Sequence, residues 1–312
     1  MSWLITGGAG YIGSHIVSQF SSLGQTFSII DNDKTKLQFR LAASIPKYFV
    51  DIRDLKNLDS IFSENRFSGV IHLAALKSVE ESQKNPALYE KTNVQGTQNI
   101  INVMEKYGVM NLVFSSTAAV YGESDNGIVT ELTTIEPISH YGKTKVHSEL
   151  LIEEARRNFG LNFVNLRYFN VAGSLNKKLQ DDSKDNLIPI VVDQIRNGVN
   201  PKIFGNDFPT PDGTAIRDFI HVVDIVDAHL AAVNYLKNGG SNQTLNIGTG
   251  TGTSVLEIVT EIISQMKSDL VPTFVGRRDG DIGIVVADPS KAEQVLGFKA
   301  KHVLAEMVAS VL

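Results

Sequence analysis

Within Ile138-Ser-His-Tyr-Gly-Lys-Thr-Lys145 a tyrosine, Tyr141, precedes a lysine, Lys145, by four positions at the opening of a predicted helix. On a helix those two side chains share a face. An ammonium held about 5 Å from a phenol would favour the phenolate by ~3 kcal/mol at an effective dielectric of ~20, roughly two pKa units. Tyr141 would then be a usable base near neutrality. The same spacing also describes an ordinary surface or core pair, so its meaning depends on the elements that hold it.

Those elements alternate. Trp3-Leu-Ile-Thr6 is a short apolar run, followed by Gly7-Gly-Ala-Gly10-Tyr-Ile-Gly13 and a helical pattern through Ile16, Val17, Phe20 and Leu23. Glycines 7, 10 and 13 would permit a tight turn, let backbone amides approach a diphosphate and pack the helix on the strand. The strand before and the helix after are the context this motif requires. The next run, Phe27-Ser-Ile-Ile-Asp31, ends in a carboxylate 18 positions after Gly13, where an acid accepts bonds from an adenosine ribose. That carboxylate would repel a 2′-phosphate, which favours NAD over NADP.

Tyr48-Phe-Val-Asp51 is a third strand, and Asp51 could bond an adenine amino group or serve a turn. Gly69-Val-Ile-His-Leu-Ala-Ala75 is a fourth, whose small residues would let a cofactor lie close to the backbone. His72 within it reads as a packed core histidine. Pro86 to Tyr107 reads as one long helix buried on more than one face, with Asn93 bonding backbone or cofactor. Asn111-Leu-Val-Phe-Ser-Ser-Thr117 is a fifth strand ending in hydroxyls, where open α/β sheets place their chemistry. After a loop from 122 to 137, the Tyr141/Lys145 helix runs to about Asn158. A sixth strand follows in Leu161–Arg167, so a doubly wound parallel sheet is expected.

From Asn170 the rhythm breaks. Residues 173 to 186 are polar and helix-poor, as in a substrate loop. Asp224 to Leu236 is helical, Thr244-Leu-Asn-Ile247 is a strand, and a helix with Thr253 as its N-cap candidate comes next. A nucleotide-binding domain over 1–169, rejoined by about 220–248, and a smaller α/β substrate-binding domain over 170–312, mainly 170–219 and 249–312, are expected.

Composition narrows the class. The 312 residues are 42% hydrophobic and 20% charged, enough for a sizeable core. A net charge of -5 offers no broad cationic surface for nucleic acid or anionic membrane. With Cys 0 there is no disulfide, thiolate metal site or cysteine nucleophile. The chain goes into its first strand without a signal-peptide pattern, and no apolar stretch approaches the ~20 residues of a membrane span. A cytoplasmic protein that binds neither nucleic acid nor membrane, and holds no metal, is expected.

Six separated stretches are together specific: Thr6–His15, Asp31-Asn32, His72–Val79, Phe114–Gly122, Tyr141–Lys145 and Arg167-Tyr-Phe-Asn170. Phe204–His221 and Arg277-Arg-Asp-Gly-Asp281 join them in the second half. Through these the chain resembles, over essentially its whole length, the extended short-chain dehydrogenase/reductase family, and within it the nucleotide-sugar 4-epimerases. The resemblance implies a Rossmann domain holding NAD, a UDP-sugar substrate and a homodimer paired through helices 86 to 107 and 140 to 158. It implies interconversion of UDP-glucose and UDP-galactose by reversible oxidation at C4 through a 4-keto sugar.

By resemblance Tyr141 is the acid/base, Lys145 lowers its pKa and bonds the nicotinamide ribose, and Thr117 bonds the sugar 4-hydroxyl. The cofactor side would comprise Gly7, Gly10, Tyr11, Ile12, Gly13, Asp31, Asn32, Asp51, Ile52, Leu73, Ala74, Ala75, Lys77, Asn93, Ser115, Tyr168 and Phe169, with Tyr141 and Lys145. The substrate side would comprise Lys77, Thr117, Tyr141, Asn170, Asn186, Leu187, Phe204, Arg217, Phe219, Arg278 and Asp281. Arginines suit a diphosphate because their fork makes paired charge-assisted bonds.

Departures from the family pattern carry their own expectations. His140 stands where many relatives have proline, Val171 where some have proline, and the segment between Asp31 and Asp51 is short enough to trim its helix. Four residues after Asp281, where a bulky tyrosine in resembling enzymes excludes N-acetylated sugars, this chain has Val285, so UDP-N-acetylhexosamines would also be accepted. A 4,6-dehydratase needs an Asp-Glu pair after the threonine, and here Ala118 and Ala119 follow Thr117. A decarboxylase glutamate is also absent from that stretch. A 4-epimerase of another nucleotide sugar, such as UDP-glucuronate, and a non-catalytic NAD-binding sensor are the alternatives.

Overall fold

The structure is a computed structural model and describes residues 2–312 other than 125, 184 and 279. To Thr117 the chain runs β1 (Ser2–Thr6), α1 (Tyr11–Ser22), β2 (Phe27–Asp31), α2 (Lys34–Arg40), β3 (Lys47–Phe49), α3 (Leu55–Glu64) and β4 (Phe67–His72). Then come α4 (Val79–Lys84), α5 (Pro86–Tyr89), α6 (Gln95–Tyr107) and β5 (Asn111–Thr117). It continues through β6 (Ile128–Val129), α7 (His140–Phe159), β7 (Asn162–Tyr168), β8 (Asn170–Ala172), α8 (Leu187–Arg196), β9 (Lys202–Phe204) and β10 (Ile216–His221). Last come α9 (Val222–Lys237), β11 (Gln243–Ile247), β12 (Gly252–Ser254), α10 (Val255–Gln265), β13 (Thr273–Val275), β14 (Ile284–Ala287), α11 (Ser290–Leu296) and α12 (Leu304–Ala309).

The chain divides into two compact units, one of Met1–Gly122, Ile135–Arg167 and Val226–Leu245, the other of Glu123–Thr134, Tyr168–Ile225 and Asn246–Leu312. The first is built on a seven-stranded sheet in the order β11-β7-β5-β4-β1-β2-β3. Its central pairs are parallel, with Ile5 opposite both Ile29 and Ile71. Leu4, Ile5, Ile29, Ile30, Val70, Ile71, Leu112 and Val113 are fully buried, because helices cover both faces and the strands can read as continuous apolar runs. From β1 the chain builds outward to β3, then returns to β4 and builds the other way. That reversal leaves a crevice at the carboxyl ends of β1 and β4, the place for a ligand in such sheets.

Three local features differ from the sequence expectation. β4 stops at His72, with the Leu73 N–H to Thr6 carbonyl bond of 3.2 Å closing its pairing with β1, so Leu73, Ala74 and Ala75 are loop. The helix over 86–107 contains a π turn at Glu90–Val94, which rotates Asn93 inward to 2% exposure. The 122–137 loop carries β6, paired in parallel with β14. As expected, the helix after β2 is short, seven residues.

The second unit holds a sheet in the order β12-β10-β14-β6, with β8 added to β10, and a separate β13-β9 pair. Phe219, Ile203, Val191, Ile258 and Ile262 share its core. Helix α10 is capped by Ser254, one residue later than expected, through a capping box with Glu257. Asp218 on β10 is fully buried. It accepts bonds from Thr249 N–H (2.9 Å), Thr249 Oγ1 (2.7 Å), Gly250 N–H (2.9 Å) and Ala287 N–H (3.2 Å), fixing β10 to β14 and to the turn after β11.

Candidate active site

Where β1 passes into α1, positions 7 and 13 admit only glycine. A Cβ on Gly7, whose φ is +70°, would stand 2.7 Å from Ala74 N, and one on Gly13 would stand 2.1 Å from the Gly7 carbonyl. Backbone therefore packs on backbone at the N-terminus of α1, whose first turn carries no acid to compete with an anion. At the end of β2 the Asp31 carboxylate accepts from Ala9 N–H and Asp33 N–H, both at 2.9 Å, which turns it toward the same glycine loop. Burial raises its pKa and those amides oppose the rise. A cradle that a Cβ would fill and a strand-end carboxylate fit the diphosphate and ribose of a dinucleotide.

Other expected cofactor residues are committed within the protein. Asp51 accepts from Asn32 Nδ2 at 2.9 Å and three times from Arg53, through N, Nε and Nη2 at 2.9, 2.9 and 2.7 Å. Four donors occupy the four acceptor sites of that carboxylate, and the Arg53 hydrogen bond leads in holding its pKa well below the usual range. Asn93 gives Oδ1 to Leu76 N–H (2.8 Å) and donates from Nδ2 to Leu76 O and Thr144 Oγ1, both at 3.0 Å. It thus ties the loop after β4 to the helix that carries Tyr141. Ile52 is buried in the first core, while Lys77 is exposed with its ammonium 6.0 Å from the Tyr11 ring centroid. Ile12, by contrast, is half-buried at the start of α1.

His72 is the packed histidine the strand pattern implied. Thr97 spends its proton on Asn93 O at 2.6 Å, so it accepts from His72 Nε2 at 3.0 Å, and His72 Nδ1 then accepts from Thr6 Oγ1 at 2.7 Å. Burial, then the charge of Lys145, keep this neutral ring down at about 3.

Thr117 ends β5 and Tyr141 opens α7, whose N-cap Ser139 accepts from Gly142 N–H at 3.0 Å. A Cβ on Gly142 would lie 2.3 Å from Ala119 O, so the glycine lets α7 settle on the turn after Thr117. The Thr117 hydroxyl near the Tyr141 phenol favours its ionised form, but burial is the larger effect and pushes the phenol up to about 12. That is opposite to the direction expected from the Tyr–Lys spacing. Lys145 explains it. Its Nζ donates to the Ser115 carbonyl at 2.8 Å, lies 4.9 Å from the Phe114 ring centroid and 6.0 Å from that of Tyr141. Burial brings the ammonium down to about 8 against the opposing charge of Glu149.

Four residues given no site role by the sequence stand behind this set. Glu149 accepts from Arg167 Nε (3.0 Å) and Nη2 (2.6 Å) and from Ser116 Oγ (2.5 Å), and Arg167 Nη1 donates to Tyr121 Oη at 2.8 Å. The available signal was Glu149 four positions after Lys145, plus a lone arginine inside an apolar strand.

In the second unit, Arg217 on β10 is half-buried. Its Nη1 donates to Ile216 O (2.9 Å) and Gly283 O (3.3 Å), and its Nη2 is 3.7 Å from Asp281. Val285 on β14 is its register partner. The Arg278 guanidinium lies 4.1 Å over the Phe204 ring, and Arg277 lies 4.0 Å over Phe208 while pairing with Asp207 at 2.6 Å. Asp279, inside the Arg277–Asp281 stretch, lies outside the described residues. Asn186 precedes Leu187 as the N-cap residue of α8, its amide bonded to Asp181. Asn170 on β8 is exposed and pairs with Phe219, whose ring is in the core, while Tyr168 and Phe169 are buried.

A parallel sheet with a glycine turn at its switch point, a β2 carboxylate and a Thr–Tyr–Lys set at the ends of β5 and α7 define a dinucleotide-binding oxidoreductase scaffold. Residues 3–248 match the profile of the NAD dependent epimerase/dehydratase family. The chain is 36% identical over 307 residues to the UDP-glucose 4-epimerase of Lacticaseibacillus casei, covering 97% of this chain and 92% of that one. It superposes on the UDP-glucose 4-epimerase of Stenotrophomonas maltophila, solved with NAD and a formylated UDP-arabinopyranose, with a TM-score of 0.93, 37% identity and coverage of 100% and 96%. The enzyme of Bifidobacterium longum, solved with NAD+ and UDP, gives a TM-score of 0.92, 33% identity and coverage of 100% and 97%. The chain belongs to the NAD dependent epimerase/dehydratase family. Among the described residues no helix is long and apolar enough to cross a membrane.

Proposed function

We propose that this protein interconverts UDP-glucose and UDP-galactose by reversible NAD-dependent oxidation at C4. The observation that carries the reading is the placement of Lys145, whose buried ammonium sits on the Ser115 carbonyl 6.0 Å from the Tyr141 ring, with Thr117 ending β5 at the carboxyl end of the sheet. NAD, when bound, supplies a hydride acceptor that can return what it took, and the positive charge of its oxidised ring. Tyr141 takes the proton of the sugar 4-hydroxyl as C4 is oxidised and gives it back on reduction. Thr117 orients that hydroxyl, and Lys145, anchored on Ser115, keeps a cation near the phenolate. Epimerisation further requires a pocket that grips UDP and leaves the 4-keto sugar free to present its other face. Arg217, Arg278, Phe204, Asn170, Asn186, Leu187 and Asp281 are the gripping residues in this reading.

The test is a coupled assay on protein purified without added cofactor, with UDP-galactose, UDP-GalNAc and UDP-glucuronate in parallel and NAD measured after denaturation. Turnover of UDP-galactose is expected. Binding of NAD without turnover of any sugar would make the chain a sensor instead, and turnover of the uronate alone would move it to that substrate. Val285 extends the reading to UDP-N-acetylhexosamines, because valine leaves room that a tyrosine would fill.

The assembly we infer is a homodimer paired through α7 and the 86–107 helix, in the cytoplasm, as the lack of cysteine suits. Lys143, His147, Leu150, Glu154 and Arg157 form an exposed stripe on α7, with Leu150 61% exposed. Sedimentation of Leu150→Arg as a monomer, against a wild-type dimer, is the expected result.

A further inference from the structure

Tyr141, Lys145 and Glu149 follow one another at four-residue intervals on α7 and so share a face. The mechanism uses the first two. The third is 12% exposed at its side chain and lies in an ion pair with Arg167, itself 7% exposed. Tyr121, 2% exposed, fixes the far side of the guanidinium through its hydroxyl and its ring, 5.0 Å from the guanidinium carbon. Ser116 supplies a third donor to the carboxylate from the strand whose neighbouring carbonyl, Ser115, receives the lysine. One strand thus holds both charges of the α7 face.

A buried ion pair contributes little net stability over an apolar pair of the same shape. What this one does contribute is a fixed negative charge one helical turn behind the lysine. We propose that Glu149, clamped by Arg167 and Ser116, is a positioning residue that holds Lys145 in its cationic form behind Tyr141. The inference rests on the reading of Tyr141 as the acid/base of the epimerase.

The charges facing Lys145 set the sign. From α7 come Tyr141 and Glu149 and from β4 the neutral His72, while Arg167 on β7 is bonded to Glu149. From β5 the Ser115 carbonyl and the Phe114 ring meet the ammonium. Glu149 is the group that raises the lysine, while burial lowers it to about 8. Removing the carboxylate leaves burial unopposed.

The test is the pH profile of kcat/KM for UDP-galactose with NAD-loaded enzyme. In Glu149→Gln, which keeps shape and hydrogen bonding but not charge, the alkaline limb moves down by about one pH unit. In Glu149→Asp, which withdraws the charge by one methylene, it moves the same way by less. A purely structural carboxylate would lower Tm and kcat and leave the limb in place, and an unmoved limb in either variant overturns the proposal. Should Glu149→Gln not fold, Glu149→Asp decides alone. An inactive wild type would sink the epimerase reading and this inference together, whereas an active wild type with unmoved variants sinks the inference only.

Discussion

Lys145 places its ammonium on the Ser115 carbonyl, 2.8 Å away, and stands 6.0 Å from the ring centroid of Tyr141. The lysine is thus anchored to the sheet, and the buried phenol remains a poor acid, at about 12, in the protein alone. The proposed mechanism therefore calls for a second positive charge to make it a base, and the oxidised nicotinamide ring carries one. In cofactor-free protein, ultraviolet difference titration against Tyr141→Phe should therefore show no Tyr141 phenolate from about pH 7 to about pH 10. Saturation with NAD+ should bring that signal into the window. A Tyr141 signal already present near neutrality without cofactor would mean that Lys145 suffices.

Tyr141→Phe removes the proton acceptor but not the ring that packs there. We expect kcat to fall by roughly a thousandfold while NAD is still retained, since a positioned acid/base contributes ~10²–10⁴. Thr117→Val keeps the shape and removes the hydroxyl, and should cost on the order of tenfold to a hundredfold, with retained NAD. Wild-type-like turnover in Tyr141→Phe would end the proposed mechanism.

Much of this was legible from residue types alone, because backbone requirements show in a sequence. A glycine at 13 is demanded by a carbonyl 2.1 Å from its absent Cβ, and fully buried strands can only be apolar. What stayed hidden depends on where side-chain atoms end up. The Tyr–Lys spacing places two side chains on one face but does not say that Ser115 will take the lysine. Asn93 looked available to a cofactor until the π turn aimed its amide at Leu76 and Thr144. The Asp51 carboxylate is filled by Arg53, two residues on, a local pairing that sequence could have suggested.

Gly13→Ala tests the cradle. Its Cβ would meet Gly7 O at 2.1 Å and Gly8 Cα at 2.8 Å, both backbone, so the turn must open. We expect a loss of about 1–3 kcal/mol of stability and little NAD after purification. Gly24→Ala is the control: with φ at +63° it is strained by about 1–2 kcal/mol, yet nothing lies within 4 Å of its Cβ. Comparable loss of NAD in both variants, measured with their Tm values, would reduce the effect to stability.

Asp218→Ala should be among the most destabilising changes in the second unit. Three N–H groups, on the half-buried Thr249, the exposed Gly250 and the buried Ala287, would lose their acceptor. We expect about 3–5 kcal/mol in denaturant unfolding. Asp218→Asn should cost nearly as much, because an amide nitrogen would face N–H donors. Since Asp218 follows Arg217 on β10 and fixes β14, surviving enzyme should show a raised KM for UDP-sugars. An unchanged KM would separate the buried carboxylate from the substrate site.

Val285 and Arg217 are register partners on parallel strands, so their side chains rise from the same face of the sheet. A substrate whose diphosphate is held by Arg217 would bring its remaining groups past a side chain one strand away. Valine is small and half-buried there. Val285→Tyr adds a ring on that face without touching the charge of Arg217, so it should act by excluding bulk and not by weakening the diphosphate grip. The expected outcome is a fall of at least about tenfold in kcat/KM for UDP-GlcNAc, with UDP-glucose within about twofold of wild type. Equal losses on both sugars would place the effect on the strand itself. A wild-type kcat/KM for UDP-GlcNAc already about a thousandfold below that for UDP-glucose would show that some other residue closes the pocket, and Val285 would then carry no part of the choice.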